Sequence, residues 1–177
     1  MLTLAGPTTY YDDGRGQNGF DYLIAKAFAD SLDVDLLIKP QLTLHELLRS
    51  VGGSKGDFAA ANLTITENRG RSLEFSMPYM NVTQQLIYRR GNKRPKSLDL
   101  LTGKLMVIKG SSHSEQLTKL KDSAPNLAWS EQDDSEMSDL VRMVHDGEIS
   151  YAVVDSFAYL VNRHIYPRAR RAFDITE

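Results

Sequence analysis

The chain has 177 residues and no cysteine, with 21 Lys+Arg against 23 Asp+Glu, a formal net charge of −2 and 41% hydrophobic residues. This composition excludes disorder, gives no electrostatic case for nucleic acid, and rules out disulfides, thiolate nucleophiles and cysteine-ligated metal centres. No run approaches the roughly 18–20 apolar residues of a membrane span, and MLTLAGPTTYY lacks the basic and long apolar regions of a signal peptide.

Strand-like runs rich in Val, Ile and Leu alternate with helical patterns, which is the signature of an α/β protein built from βαβ units with a largely parallel sheet. The first half reads as a strand at Leu2–Ala5, a polar Gly-rich turn at Asp12–Gly19, and a helix at Asp21–Leu32. Leu23, Ile24, Ala27 and Phe28 form the apolar stripe expected to face that helix inward. A strand at Val34–Lys39 follows, then a helix from Thr43, where Thr43-x-x-Glu46 is a capping box and Gly52-Gly53 supplies the stop. A further strand is expected at Asp57–Ile65.

A strand-like run at Thr83–Arg89 leads into Gly91-Asn92-Lys93-Arg94-Pro95, a turn-rich stretch that marks the expected boundary between a first lobe, 1–90, and a second, 91–177. The second lobe reads as a strand at Leu105–Lys109 and a helix from Gly110-Ser111-Ser112 to Leu120. A short strand at Leu127–Ser130, a helix at Ser135–Asp146 ended by Gly147, a strand at Ile149–Val154 and a helix from Ser156 complete it. No short-period repeat occurs, so a solenoid is excluded.

Three segments could carry chemistry. In Asn62-Leu63-Thr64-Ile65-Thr66-Glu67-Asn68-Arg69 a strand ends in hydroxyl and amide side chains and then meets an arginine, and strand carboxyl ends face the crevice of open α/β sheets. Arg69 could hold a carboxylate through two parallel hydrogen bonds, with Asn62 and Thr64 as neutral polar contacts; it could equally be a surface arginine paired with Glu67 or water. In Lys109-Gly110-Ser111-Ser112-His113-Ser114-Glu115, Ser112-x-x-Glu115 forms a capping box, and the helix start would attract an anion or serve as a purely structural cap. Tyr151-Ala152-Val153-Val154-Asp155-Ser156 delivers Asp155 to the next helix start, as its N-cap, as the partner of a ligand ammonium, or as both.

Tyr10 and Tyr11 follow the first strand and could flank a ligand or belong to the partial core. The histidines His45, His113, His145 and His164 show no metal-ligand spacing, and there is no GxSxG elbow or clustered carboxylate pair, so no metal, no cofactor and no catalytic residue is expected.

Gly19-Phe20-Asp21, then Leu63-Thr64-Ile65-Thr66-Glu67-Asn68-Arg69 with Phe75-Ser76-Met77-Pro78-Tyr79, then Lys109-Gly110-Ser111-Ser112, resemble the periplasmic amino-acid-binding protein family of ABC transporters, solute-binding protein family 3. Within it, Gln84-Gln85-Leu86-Ile87-Tyr88-Arg89, Arg94-Pro95-Lys96-Ser97-Leu98, Gly110-Ser111-Ser112-His113 and Ala172-Phe173-Asp174 are similar to the regulatory domains of the lytic murein transglycosylase F subfamily. The resemblance implies a periplasmic-binding-protein-like fold of two lobes, each a mostly parallel sheet flanked by helices, closing on a ligand. It implies Arg69 on an α-carboxylate, Asp155 on an α-amino group, Asn62, Thr64, Ser111 and Ser112 as polar contacts, and Tyr10 or Tyr11 as an apolar wall.

It further implies a periplasmic location, with the parent attached to the inner face of the outer membrane, and a small amino acid or short muropeptide-derived ligand. Binding would regulate a separate C-terminal transglycosylase domain, leaving this chain itself non-catalytic. Domains of this kind return from the second lobe to complete the first with a strand and a helix, and the resemblance places that return outside the sequence. Two other readings share the scaffold: a free-standing ABC-transporter amino-acid-binding protein, and a dehydratase-type enzyme using Asp155 or His113 as acid or base.

Overall fold

The computed structural model describes residues 1–51, 53 and 55–176, and these divide into two compact units between Met77 and Pro78. In the first unit, β1 (Leu2–Leu4) lies parallel to a later strand, a two-residue ladder joins β2 (Tyr11–Asp12) to β3 (Gln17–Asn18), and α1 spans Phe20–Ser31. β4 (Lys39–Gln41) pairs with β1 in the register Leu2↔Lys39, α2 spans Leu44–Val51, and the short α3 spans Glu67–Gly70. Leu2, Thr3 and Leu47 are fully buried where α2 packs on β1.

Several elements of this unit differ from the sequence expectation. α1 buries Asp21, Ala25 and Ala29, spaced i, i+4, i+8, and leaves Leu23 (56% exposed), Ile24 (40%), Ala27 and Phe28 (52%) on its outer side. The small residues set the inward face because the start of the helix is held by the preceding loop: Asp21 and Tyr22 donate their N–H groups to the carbonyls of Thr8 and Thr9. The strand expected at Val34–Lys39 begins only at Lys39, since β1 offers partners from that residue onward. Asp57–Ile65 forms no strand; it contributes a single parallel bridge, Leu2↔Ala59, with Leu2 N–H to Phe58 O at 2.8 Å and Ala60 N–H to Leu2 O at 3.0 Å. Thr43 caps α2, accepting from the Glu46 N–H at 3.1 Å, while the Glu46 carboxylate reaches Leu42 N–H instead of Thr43. Of the expected stop, Gly52 lies outside the described residues, and Gly53 sits in a turn with its N–H on Ser50 O.

The second unit is a five-stranded mixed sheet in the order β7-β6-β8-β5-β9. Its strands are β5 (Gln84–Arg89), β6 (Leu105–Ile108), β7 (Ser130–Gln132), β8 (Tyr151–Asp155) and β9 (Ala169–Asp174); its helices are α4 (Ser112–Leu120), α5 (Met137–Asp146) and α6 (Ser156–Asn162). β6 is parallel to both β7 and β8, whereas β5 runs antiparallel to β8 and to β9. This double pairing places Gln84–Arg89 in the second unit. The boundary therefore falls at 77/78, ahead of the strand, not after Arg90 as the turn-rich 91–95 stretch suggested. β7 starts at Ser130, later than expected, because Leu127 is buried in the core ahead of it.

One face of this sheet buries Leu86, Leu105, Val107, Val153 and Ala172 against Leu117 of α4, Ala124 and Leu127. Each of these leucine and valine side chains contributes about 1.5–3 kcal/mol of hydrophobic stabilisation. Leu140, Val141 and Val144 of α5 are fully buried where that helix packs on β8 and β5, and Gly147 ends it in the left-handed conformation, φ 86°. β9 is an edge strand with one extra residue: Arg171 and Phe173 pair with Ile87 and Leu86, so Ala172 is bulged, and its carbonyl accepts from the Arg94 guanidinium. On the same strand the Tyr159 hydroxyl accepts from Arg171 N–H at 3.3 Å and lies 3.5 Å from Ala169 O.

Gly19 has φ 126°, and a Cβ there would stand 2.3 Å from the Thr9 carbonyl oxygen. Gly19→Ala is expected to destabilise the first unit by at least ~2 kcal/mol, read from urea unfolding; a wild-type midpoint would show that this corner is not strained. Burial, reinforced by the Asp139 carboxylate, raises the Glu136 carboxyl above its usual value. A raised carboxyl favours folding of the protonated form, so the penalty is full above the folded value and absent below the unfolded one. Glu136→Gln should raise the thermal midpoint at pH 7–8, with the gain fading toward pH 4; a gain that does not vary with pH would place its cause elsewhere.

Candidate functional site

In the first unit Thr66 caps α3, its hydroxyl accepting the Arg69 N–H at 3.3 Å. This turns the Arg69 side chain inward: the residue is 7% exposed and its Nη1 donates to Thr64 O at 3.0 Å. Glu67 pairs instead with Arg71 at 2.8 Å, so the reading of Arg69 as a surface arginine beside Glu67 does not hold. A buried guanidinium needs acceptors for its N–H groups, and a ligand carboxylate suits its fork geometry. Arg69 lines a groove of about 420 Å³ together with Leu48, Arg49, Gly53, Asn68, Ser72 and Leu73.

Asn62 is a corner of this unit. Its φ is 50°, its N–H donates to the Asp21 carboxylate at 2.6 Å, and its side-chain amide donates to the Thr8 hydroxyl at 2.9 Å. Asp21, buried at 1% exposure, is a structural acceptor that the sequence reading did not single out. The signal for it was the Gly19-Phe20-Asp21 run, which puts a carboxylate in the first turn of a helix. Tyr10 packs on Tyr22 with ring centroids 5.9 Å apart and accepts from the Gln17 amide at 3.1 Å, while Tyr11 is 37% exposed on β2.

In the second unit Gly110 adopts φ 66° and Ser111, not Ser112, is the N-cap of α4, its hydroxyl accepting from Ser114 N–H at 3.3 Å. The expected Ser112–Glu115 box is thus displaced by one residue, because the left-handed glycine turns the chain into the helix one position earlier. Ser112 is buried in the first turn, and the Gln84 side-chain amide donates to its hydroxyl at 3.3 Å.

Asp155 occupies the N-cap position of α6, yet its side chain makes no capping hydrogen bond. It meets His113 instead: Nε2 lies 3.1 Å from Oδ1, with the two side chains 1% and 8% exposed. The start of α6 is fixed by Thr83, whose carbonyl accepts from Ser156 N–H at 2.8 Å and whose own N–H donates to the Ser156 hydroxyl at 3.1 Å. Asp155 is therefore not spent on capping. Gln84 was not among the expected site residues, its only hint a polar Gln84-Gln85 pair at the head of an otherwise apolar strand, and His113 entered only as an acid or base in the dehydratase-type reading. Among the described residues no group of His, Asp and Glu is placed to hold a metal ion.

The family model for bacterial extracellular solute-binding proteins, family 3, matches residues 3–157. The membrane-bound lytic murein transglycosylase F of Saccharophagus degradans is 51% identical over 178 residues, covering 100% of this chain and 36% of that protein; the protein of the same name from Cellvibrio japonicus is 41% identical over 177 residues, covering 99% and 36%. This chain thus spans little more than a third of the length of these relatives. Among solved structures, an ancestral arginine-binding protein bound to arginine superposes with a TM-score of 0.85 at 26% identity, over 99% of this chain and 78% of that one. The substrate-binding protein of an amino acid ABC transporter superposes with a TM-score of 0.83 at 23% identity, over 99% and 79%, a likeness of fold.

Replacing Asp155 by Ala would leave His113 Nε2 buried without its acceptor, at a cost of about 1–3 kcal/mol. Asp155→Ser, which restores a capping hydroxyl, should not recover this loss, whereas Asp155→Asn should recover part of it. Denaturant midpoints decide the matter: full rescue by serine would return Asp155 to a capping role.

Proposed function

This chain belongs to the bacterial extracellular solute-binding proteins of family 3, and we propose that it binds a small zwitterion, an amino acid or a short peptidoglycan-derived peptide, as the sensing portion of a longer lytic transglycosylase. The observation that carries the reading is a pair of buried, opposite charges on separate units: the Arg69 guanidinium, anchored on Thr64 O, and the Asp155 carboxylate, not engaged as a helix cap. Arg69 takes the ligand carboxylate and Asp155 its ammonium, with Thr64 and Ser112 as neighbouring polar groups. Asn62, Ser111 and Tyr10 each have a side-chain partner within their own unit and would meet the ligand with the hydrogen-bonding or apolar surface that this leaves.

Support also comes from the relatives. One ancestral protein of this fold at 26% identity is bound to arginine and another at 26% to glutamine. The transglycosylase F relatives are membrane-bound by name and extend well beyond the matched region, so glycan cleavage and attachment to the membrane would reside in that further length, outside the cytoplasm. A ligand that binds one conformation of the chain better than another shifts its population, and that free energy is available to bias a joined catalytic domain. The chain reads the ligand by geometry and does no chemistry on it.

Arg69→Ala would strand a ligand carboxylate in a partly dry site, with an expected loss of roughly 2–5 kcal/mol in binding. Calorimetry with the twenty common L-amino acids and a muramyl-derived tetrapeptide tests this. Wild-type affinity in the variant would reject the carboxylate role, and no binding to the wild-type chain would reject the ligand class.

A further inference from the structure

Four buried polar side chains, Gln84, Ser112, His113 and Asp155, converge on one face of the second unit's sheet, at the end where β5 begins and β8 ends. Gln84 stands directly opposite Asp155 in the antiparallel register, and residues opposite one another share a face. It is the face of Leu86 and Val153, against which α4 packs, bringing His113 to Asp155 and Ser112 to Gln84. Gln84 is 7% exposed and His113 is 1% exposed.

Hydrogen bonding in this cluster is lopsided. A carboxylate only accepts, so the His113 Nε2 carries the proton that it shares with Asp155 Oδ1, and Nδ1 is then an acceptor; that atom is buried and has no partner. The Gln84 amide nitrogen is engaged by the Ser112 hydroxyl, and its Oε1 is likewise buried with no partner. Native interiors seldom leave such groups unsatisfied, and each lowers stability unless it serves a purpose. With His113 neutral the imbalance has one sign: a carboxylate, an amide oxygen and an imidazole nitrogen all call for donors, and no Lys or Arg is among the hydrogen-bond and ion-pair partners described for Gln84, His113 and Asp155. A primary ammonium, with three N–H donors and a positive charge, meets that demand; a hydroxyl or an amide meets it only in part.

We propose that Gln84 and His113 belong to the ammonium end of the binding site: Gln84 Oε1 accepts a second N–H of the ligand ammonium beside Asp155, and His113 is a positioning residue that fixes the Asp155 carboxylate through Oδ1. This rests on the reading that Asp155 receives the ammonium, and adds the requirement that the group be a free primary amine. Amino acids acylated on nitrogen lose both the charge and two of the donors, and are excluded.

The test uses the 177-residue chain, the twenty common L-amino acids and their N-acetyl forms, first by thermal shift and then by calorimetry with the acid giving the largest shift. Gln84→Leu should raise the unfolding midpoint of the ligand-free protein, because it removes an unsatisfied buried oxygen from an apolar face, and yet weaken binding at least tenfold. His113→Leu should weaken binding at least tenfold, and His113→Gln, which retains an N–H near the Nε2 position, should recover most of it; N-acetyl forms should not bind. If the histidine variants fail to fold, the imidazole ¹⁵N resonances of wild-type His113 supply the readout and should move on addition of the acid. Wild-type affinity in Gln84→Leu together with unmoved His113 resonances, while Arg69→Ala still abolishes binding, overturns this inference and leaves the broader reading standing. Failure of every amino acid to bind the wild-type chain overturns both.

Discussion

The register of β5 against β8, with Gln84 facing Asp155, is the constraint on which the second unit is built. It makes β5 an interior strand, hydrogen-bonded on one side to β8 and on the other to β9, and so carries the chain into the sheet at Gln84. It puts the polar ends of two otherwise apolar strands side by side, beneath the first turn of α4. A slip of one residue would exchange the faces of every side chain on β5, sending Gln84 to the α5 side and Gln85 beside Asp155. The hydrophobic stripe of Leu86 and Val153 fixes the register, and the buried polar cluster follows from it without further specification.

The first unit reaches a comparable end by different means. Its β1 is short, with β4 on one side and a single bridge to Ala59 on the other, so local hydrogen bonds from loops and caps do much of the positioning. Asp21 holds the Asn62 corner, Thr66 starts α3, and α3 in turn folds Arg69 back onto Thr64. One cation is buried by turn chemistry in one unit, and one carboxylate is buried by sheet register in the other.

The parts legible in the sequence are those where a local rule and the tertiary structure agree. The apolar run of β6, the glycine after α5, the entry into α6 and the Thr43 cap of α2 were all readable, because each is decided within a few residues. The inward face of α1 was not: two i, i+4 stripes compete there, and the more hydrophobic lost because a buried Asp21 and two alanines fit the approach set by Thr8 and Thr9. β9 was missed because Arg170 and Arg171 in succession, on an edge strand with a bulge, break the alternation that marks a strand. Arg69 and Asp155 could be nominated from their places at element ends. The pairing of His113 with Asp155 could not, since the two lie 42 positions apart and only the packing of α4 on the sheet joins them.

The last strand of the sheet bears on how the protein behaves in company. An outermost strand ordinarily offers a row of unmet main-chain groups that a second polypeptide can extend, the opening step of runaway stacking. Here the Tyr159 phenol sits against Arg171 and Ala169, and the Arg94 side chain covers the bulged Ala172 carbonyl, so side chains of the same molecule already stand where an intruding backbone would have to lie. Arg171 on that border is paired with Asp174, and the exposed Arg170 beside it adds a charge that an identical neighbour would have to meet. A second copy meeting this border would find its main-chain positions already taken.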